Sequence, residues 1–468
     1  MKSSTQRFKN IFKASVLTLC LAASGPAWGQ SNDQTAELKS EVAKLKDIVA
    51  QQQVLMEQLL ASQKKQDTVT GQSLVASTPL APVAAAATSV TAGWSNNRPG
   101  IRSADGRFEA NFGGFGHFDY RGYSEGTHPA NTFVIRRVRL FVDGKLAKYY
   151  DYKIEGDFAD TTSTLLRDGW VRVHRFEPLQ FQIGQFKEPF SQEELRSDQV
   201  QDFVERSMAN NLAPSRSPGL MVNGVVGKGL FEYQTGVFNG KGILANDSNG
   251  TPESVARIRL TPFKRTKNDW LNAFSFGGAA AAGRNAGANV TGVKGQTESR
   301  SMTFFTPDTV NGSYYRANGE ATWVKGPAAI RSEYDYVSQS RTGLGVGGNN
   351  LADVNSAGFA VQGTYLLTGE KKSDVGSVVP KSGLFGEGEG RSLGAWELKF
   401  RYSFLDVNDQ TAKSNRASSY LFGANWYMNR FVKNVLDFGV EHYRDPLRTP
   451  RPGEQNYFVV LNRIQLAF

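Results

Sequence analysis

From about Trp94 to Phe468 the chain is a succession of short runs in which apolar and polar residues alternate, separated by clusters of Gly, Asn, Asp and Pro. A period of two puts successive side chains on opposite faces of a strand, so this stretch predicts an all-β fold. In Phe133–Leu146, Val134, Val138, Leu140, Val142 and Leu146 read as one face, with Arg136 the exception, and Arg137, Arg139, Asp143 and Lys145 as the other. In Ala395–Phe404, Trp396, Leu398, Phe400, Tyr402 and Phe404 oppose Glu397, Lys399, Arg401 and Ser403. In Val435–Tyr443, Leu436, Phe438 and Val440 oppose Asp437 and Glu441. The last run ends flush on an aromatic residue: Phe458, Val460, Ile464 and Leu466 share a face, and Arg463 and Gln465 point the other way. Asn462 interrupts the apolar face of this run, and Val459 and Leu461 interrupt the polar one.

A soluble sandwich alternates too, with its apolar face inward. Two features favour a transmembrane antiparallel β-barrel. The polar faces carry both charge signs, as a wet lumen does, and the apolar faces are rich in Phe, Trp and Tyr, as a lipid belt is. Mean hydropathy is −0.40 and no run of about 20 apolar residues follows the amino terminus, which excludes a helical membrane protein. About 370 residues at about 10 per strand, plus turns and loops, suit roughly 16 to 18 strands, with 16 preferred.

The amino terminus predicts export. Lys2, Arg7, Lys9 and Lys13 precede an apolar run, Ala14–Ala23, and Ala27 and Gly29 supply a small-residue cleavage site, giving a signal peptide over 1–29. The single cysteine, Cys20, leaves with it, so the mature chain has no thiol. Four of the +10 formal charges leave as well; the remaining +6 fits small anionic ligands and lacks the dense basic surface of a nucleic-acid binder. Leu38, Val42, Leu45, Val49, Gln52, Met56 and Leu59 then form a heptad seam, read as a short α-helical coiled coil over 30–65, with a lone amphipathic helix as the alternative. Residues 66–95, rich in Ala, Ser, Thr and Pro, read as a linker, and 96–468 as the barrel.

No site for turnover chemistry emerges. His117, His128, His174 and His442 have no metal-ligand spacing, and no G-x-S-x-G elbow occurs. The glycine-rich stretches Gly343–Asn350 and Gly383–Gly390 lack the Walker lysine and read as extracellular loops. No enzyme activity, cofactor or metal is expected.

Residues Phe133 to Gly219 resemble the phosphate-selective porin O and P family. The motifs are FVIRRVRLFVDGKL, DYKIEGDFAD, LRDGWVRV, FQIGQFKEPFSQEEL and FVERSMANNLAPSRSPG, with ARIRLTPF, YLLTGE, GAWELKFRYSFLDVND and the last strand extending the resemblance from about Phe108 to Phe468. The resemblance implies a homotrimeric, 16-stranded porin of the outer membrane of a Gram-negative bacterium. It also implies a constriction made by inward-folded loops and lined by arginines and lysines, with Ser191 to Pro218 as one such loop.

An anion path needs fixed positive charge with weak, serial sites. Arginine suits phosphate because its planar fork donates two hydrogen bonds to one anion. Arg257 and Arg259 form the leading pair, since their run contains no acid, followed by Arg137 and Arg139, then Lys187, Arg172, Arg316, Arg331 and Arg401, with Arg463 on the last strand. For any single one of them the reading as a wall residue paired with a lumen carboxylate, such as Glu155, Asp168, Glu320 or Glu397, stands ahead of ion contact. The expected function is passive diffusion of small hydrophilic solutes with anion preference, phosphate or polyphosphate leading. The alternatives are an envelope tether acting through a periplasmic coiled coil, or a barrel hydrolase. Expected partners are small anions, outer-membrane lipid, two further copies of the chain and the barrel-assembly machinery, which would engage Phe468. Nucleic acid is not among them.

Overall fold

The computed structural model describes residues 90–468 apart from 96–97, 125–129, 160–164, 248–249, 287–289, 301, 306–308, 386–392, 409–414, 446–448 and 450–452. The expected signal peptide (1–29) and coiled coil (30–65) lie outside the described residues, as does all but the last six residues of the expected linker. Those six are a strand, β1 (Val90–Ser95), which forms a hairpin with β2 (Arg98–Ser103).

β2 pairs with the start of β3 (Phe108–Tyr123). From there the sheet runs in chain order through β4 (Thr132–Leu146), β5 (Tyr150–Asp157), β6 (Leu166–Phe176), β7 (Leu179–Lys187) and β8 (Arg216–Val226). β9 (Phe231–Phe238), β10 (Glu253–Leu260) and β11 (Phe274–Asn285) follow. A small ribbon, β12 (Gly295–Gln296) with β13 (Thr303–Phe305), lies in the next connection. The sheet continues through β14 (Gly312–Lys325), β15 (Ala328–Arg341), β16 (Leu351–Leu366) and β17 (Ala395–Asn408). It ends with β18 (Asn415–Tyr427), β19 (Val432–Tyr443) and β20 (Asn456–Ala467). β20 pairs with β3 from Val459↔Tyr123 to Ala467↔Phe115, closing a sixteen-stranded antiparallel barrel from β3–β11 and β14–β20. Closure leaves no unpaired edge in the wall, the condition for crossing lipid with strands.

Burial is inside out. On β17, Leu398 and Phe400 are 52% and 37% exposed, whereas Glu397 and Arg401 are fully buried. Ile183 on β7, Phe438 on β19 and Phe458 on β20 are likewise exposed, while Asp437 and Arg463 are buried. A soluble sheet would reverse this, because exposing apolar area to water costs about 25 cal/mol per Å². The pattern is stable only with hydrocarbon outside.

β4 departs from the simple alternation. Its exposed side chains are Phe133 and Ile135 and then Leu140 and Leu146, so Val134 is not on the lipid face as expected. The register shows why: His117 pairs with Arg137 but Phe118 pairs with Ile135, a bulge that leaves Arg136 as an extra residue. A bulge resets the parity of a strand, and here it turns Arg136 and Arg137 inward together. The adjacent pair Arg136–Arg137 is itself the trace of that bulge in the sequence.

The irregularities of β20 have causes too. Asn462 exchanges amide hydrogen bonds with Asn434 of β19 at 3.2 and 3.3 Å, so each satisfies the other on the apolar face. Val459 and Leu461 face inward: Val459 packs with Phe203 of a loop inside the barrel and Leu421 of β18, and Leu461 with Val204 of that loop and Val435 of β19.

Three connections enter the lumen. Residues 188–215 and the described residues of 286–311 come from one end of the barrel, and the described residues of 367–394 come from the other, the end that holds Phe468 and the short turns 177–178 and 326–327. Gly343–Asn350 and Gly383–Gly390 therefore lie on connections at opposite ends, and the reading of both as extracellular loops fails for one of them.

Candidate functional site

The loop over 188–215 is built by local signals. Ser191 caps the single helical turn Gln192–Leu195, its hydroxyl accepting from the Glu194 amide at 3.0 Å. Ser197 caps a second turn, Asp198–Val200, in the same way. The inward segment ends at Ser215, because Arg216–Pro218 of the expected loop already belong to β8. It lies flat on the wall at Gly358 of β16, where any Cβ would stand 2.7 Å from the Ala209 backbone. The wall holds it by matched charges. Asp437 accepts from the Val204 amide (2.7 Å) and Lys399 donates to the Asp202 carbonyl (2.7 Å).

Of the six carboxylates of this loop, the five from Glu193 to Glu205 sit on cations, whereas Glu188 faces the Glu253 carboxyl. Asp198 meets Arg139 at 2.7 Å, Arg206 at 2.9 Å and Arg137 at 3.4 Å. Asp202 meets Lys372 at 2.6 Å, Arg331 at 3.1 Å and Arg196 at 3.2 Å. Glu205 meets Arg121 at 2.5 Å, Arg136 at 2.7 Å and Arg300 at 2.9 Å. Glu193 pairs with Arg401 at 2.9 Å, and Glu194 with Arg206 at 3.2 Å. The acids from Glu193 to Glu205 are thus neutralised by wall arginines together with Arg196 and Arg206 of the loop itself and Lys372 and Arg300 of the other inward connections.

This pairing makes the contacts of Asp198, Asp202 and Glu205 insensitive to mild acid. Burial pushes the Asp198, Asp202 and Glu205 carboxyls up, but the surrounding guanidinium and ammonium groups outweigh it and hold all three well below the usual carboxylate range. A depressed folded pKa gives stability that is complete above the unfolded value, near 4, and is lost only as pH falls through the folded one. Single-channel conductance at pH 7 and at about pH 4.5 should therefore be the same for the loop's part. A marked widening of the channel over that interval would contradict this charge assignment.

Three open chambers surround the loop. The upper one, on the side of the long connections, is about 560 Å³ and lined by Arg136, Arg137, Arg139, Arg167, Arg206, Arg216 and Arg300 against Asp157, Glu194 and Asp198. A lower chamber of about 530 Å³ shares Arg139, Asp198 and Arg216 with it and continues past Lys187, Lys153 and Arg172 to Arg98 and Lys145. Its charges nearly balance. A second lower chamber, about 470 Å³, is lined by Arg257, Arg259 and Arg196 and shares Arg172 with the first. The Arg139–Asp198–Arg216 group is therefore the partition between the two ends.

The structure distributes the sequence candidates over these chambers. Arg137 and Arg139 line the upper one; Arg139, Lys187 and Arg172 line the first lower one; Arg172, Arg257 and Arg259 line the second. Arg316, Arg331 and Arg401 line none of the three. Arg316 binds Glu253 of β10 within the wall, whereas Arg331 binds Asp202 and Arg401 binds Glu298 at 2.7 Å in the wall–loop packing. Arg463 is clamped by Asp119 at 2.7 and 2.8 Å. Lys187 donates to the backbone carbonyls of Glu194 and Arg196, and Arg172 to Asp151 at 2.8 Å.

The acid that the Arg257–Arg259 run lacks comes from elsewhere. Arg257 reaches across β11 to Glu320 on β14. The intervening residues are GGAAAA, and a Cβ on Gly277 would overlap the Glu320 carboxylate. Arg259 meets Asp374 of the 367–394 connection at 2.7 Å. Neither partner is visible from spacing within one strand. Among the described residues no group of three or more His, Cys, Asp and Glu is placed to hold a metal ion.

Comparison with known proteins agrees with this architecture. The curated Porin O of Pseudomonas aeruginosa is 23% identical over 374 residues, covering 70% of this chain and 80% of that protein. The outer membrane channel DcaP of Acinetobacter baumannii matches in fold with a TM-score of 0.52 at 13% identity, over 78% of this chain and 99% of that one. OmpT, an outer membrane protein of Vibrio cholerae, matches with a TM-score of 0.51 at 11% identity, over 77% and 98%. The profile of one family, phosphate-selective porin O and P, matches residues 103–468, the hairpin's end and the entire barrel, and the chain belongs to that family.

Proposed function

We propose that this outer-membrane porin passes small anions by diffusion, with phosphate or polyphosphate as its cargo. The observation that carries the reading is the upper chamber, where seven arginines face three carboxylates. Fixed charge of one sign in a low-dielectric cleft raises the local concentration of counter-ions. An anion entering there exchanges water for guanidinium donors, passes the partition where Arg139 and Arg216 flank Asp198, and leaves through the first lower chamber, whose charges nearly balance. Strong retention at the top and weak retention below gives entry with release. No step requires a covalent intermediate.

The heptad seam over 38–59 and the family resemblance support a homotrimer whose coiled coil stands in the periplasm, where barrels of this class place their short turns. The family resemblance of the last strand supports recognition of Phe468 during barrel assembly. In the barrel its backbone exchanges two hydrogen bonds with Gly114, at 3.0 and 3.1 Å.

The test is single-channel recording of the purified protein across a salt gradient. The reversal potential should have the sign of anion preference, and millimolar phosphate should block the chloride current. Cation preference, or chloride current indifferent to phosphate, would remove the anion or the phosphate assignment while leaving the porin.

A further inference from the structure

We propose that the short-turn end of the barrel carries a binding site for anionic phospholipid headgroups, centred on Lys228, Lys264, Arg265 and Lys267. Two connections build it. The β8–β9 turn holds Lys228, and the β10–β11 connection folds over that turn. Thr261 donates its amide to the Leu230 carbonyl at 2.9 Å, the Lys264 ammonium donates to the Gly229 carbonyl at 3.4 Å, and the Arg265 guanidinium to the Gly227 carbonyl at 3.3 Å. Thr266 and Asn268 close the loop on itself through side-chain bonds to its own backbone. The four cations are thereby gathered on one ordered, exposed knob.

Among the described residues none of the four has a carboxylate partner. The carboxylate of the same connection, Asp269, is taken by Lys325 at 3.3 Å. Gathering four like charges without acids is unfavourable unless an anion is shared between them. Lipid is the anion source that the surroundings select. The knob adjoins the outer surface of the barrel and not the lumen. Trp270, 66% exposed, stacks on Trp323 with ring centroids 5.3 Å apart and planes 8° apart, and its carbonyl accepts from the Trp323 indole. Exposed Leu260, Phe263 and Leu271 complete the apolar border. Tryptophan at this level marks the boundary between hydrocarbon and headgroups, and clustered Lys and Arg beside it attract anionic lipid. The porin reading adds only which leaflet is contacted, the periplasmic one.

The test uses the full-length protein reconstituted in vesicles of brominated phosphatidylglycerol or brominated phosphatidylcholine. The readout is the quenching of the Trp270 contribution, taken as the difference from Trp270→Phe. Phosphatidylglycerol should be preferred at this site at least about fivefold. The preference should vanish in Lys228→Gln/Lys264→Gln/Arg265→Gln/Lys267→Gln and fall partway in Lys267→Gln alone, which holds no turn carbonyl and leaves the loop's fold untouched. Equal quenching by both lipids in the unaltered protein, or an unchanged preference in both variants, would overturn the proposal. Loss of the preference on adding inorganic phosphate at constant ionic strength would overturn it too, by assigning the knob to free anion.

Discussion

Arg401→Met should free the loops inside the barrel while leaving the wall standing. Arg401 is fully buried and fastens two inward connections to β17 at once. One nitrogen donates to Glu298 (2.7 Å) and to the Glu205 carbonyl (2.8 Å), another to Glu193 (2.9 Å) and Gln362 (2.6 Å), and the guanidinium lies 4.0 Å from the Phe203 ring centroid. Methionine fills similar space but leaves Glu298 with only the Ser403 and Ser419 hydroxyls. Removing one partner of a buried charge pair costs about 3–5 kcal/mol. The loss falls on the loops, since the interstrand ladder does not involve the side chain. Conductance should rise and fluctuate more, and protease should cut within 188–215 where the unaltered protein resists. The heat needed to unfold the barrel in detergent should change little. Unchanged conductance together with unchanged protease resistance would show that the loops are held without Arg401.

How far the sequence reaches toward this arrangement depends on the range of the interaction. Alternation is local, so the lumen faces of β17, β19 and β20 are legible from Glu397, Asp437 and Arg463 alone. The loop that enters between β7 and β8 is marked by its polar length and its Ser caps. What spacing within a run does not reveal is which charge neutralises which. Arg257 finds Glu320 63 positions away, across a strand of Gly and Ala that no rule for Arg257's own run addresses. The 367–394 connection enters from the end where turns are ordinarily short, so Lys372 and Asp374 pass for surface residues until the topology is known. Arg136 is the intermediate case. Its break in the alternation is visible, but only the pairing of His117 with Arg137 and of Phe118 with Ile135 converts the break into a bulge with two inward arginines.

That bulge supplies the cleanest test of the anion path, Arg136→Ala with Arg137→Ala. The two side chains line the upper chamber, yet neither is the sole support of an acid. Glu205 would keep Arg121 and Arg300, and Asp198 would keep Arg139 and Arg206. The constriction loop should therefore stay in place while five arginines instead of seven face the same three carboxylates. A unit charge about 4 Å from a passing ion contributes about 1 kcal/mol at the dielectric of water and more in a confined lumen. Losing two should reduce the anion-to-cation permeability ratio by about 5- to 30-fold, and phosphate block should weaken with it. Arg257→Ala with Arg259→Ala removes the same number of charges but takes Arg257 from Glu320 and leaves Asp374 with the longer contact to Arg331 at 3.5 Å. It should lower anion preference as well, with an added loss of stability that the bulge pair does not show. If the bulge double variant keeps the selectivity of the unaltered protein and the Arg257–Arg259 variant does not, the controlling site is the second lower chamber. If neither moves the reversal potential, the arginines of both chambers are wall residues and the anion reading fails.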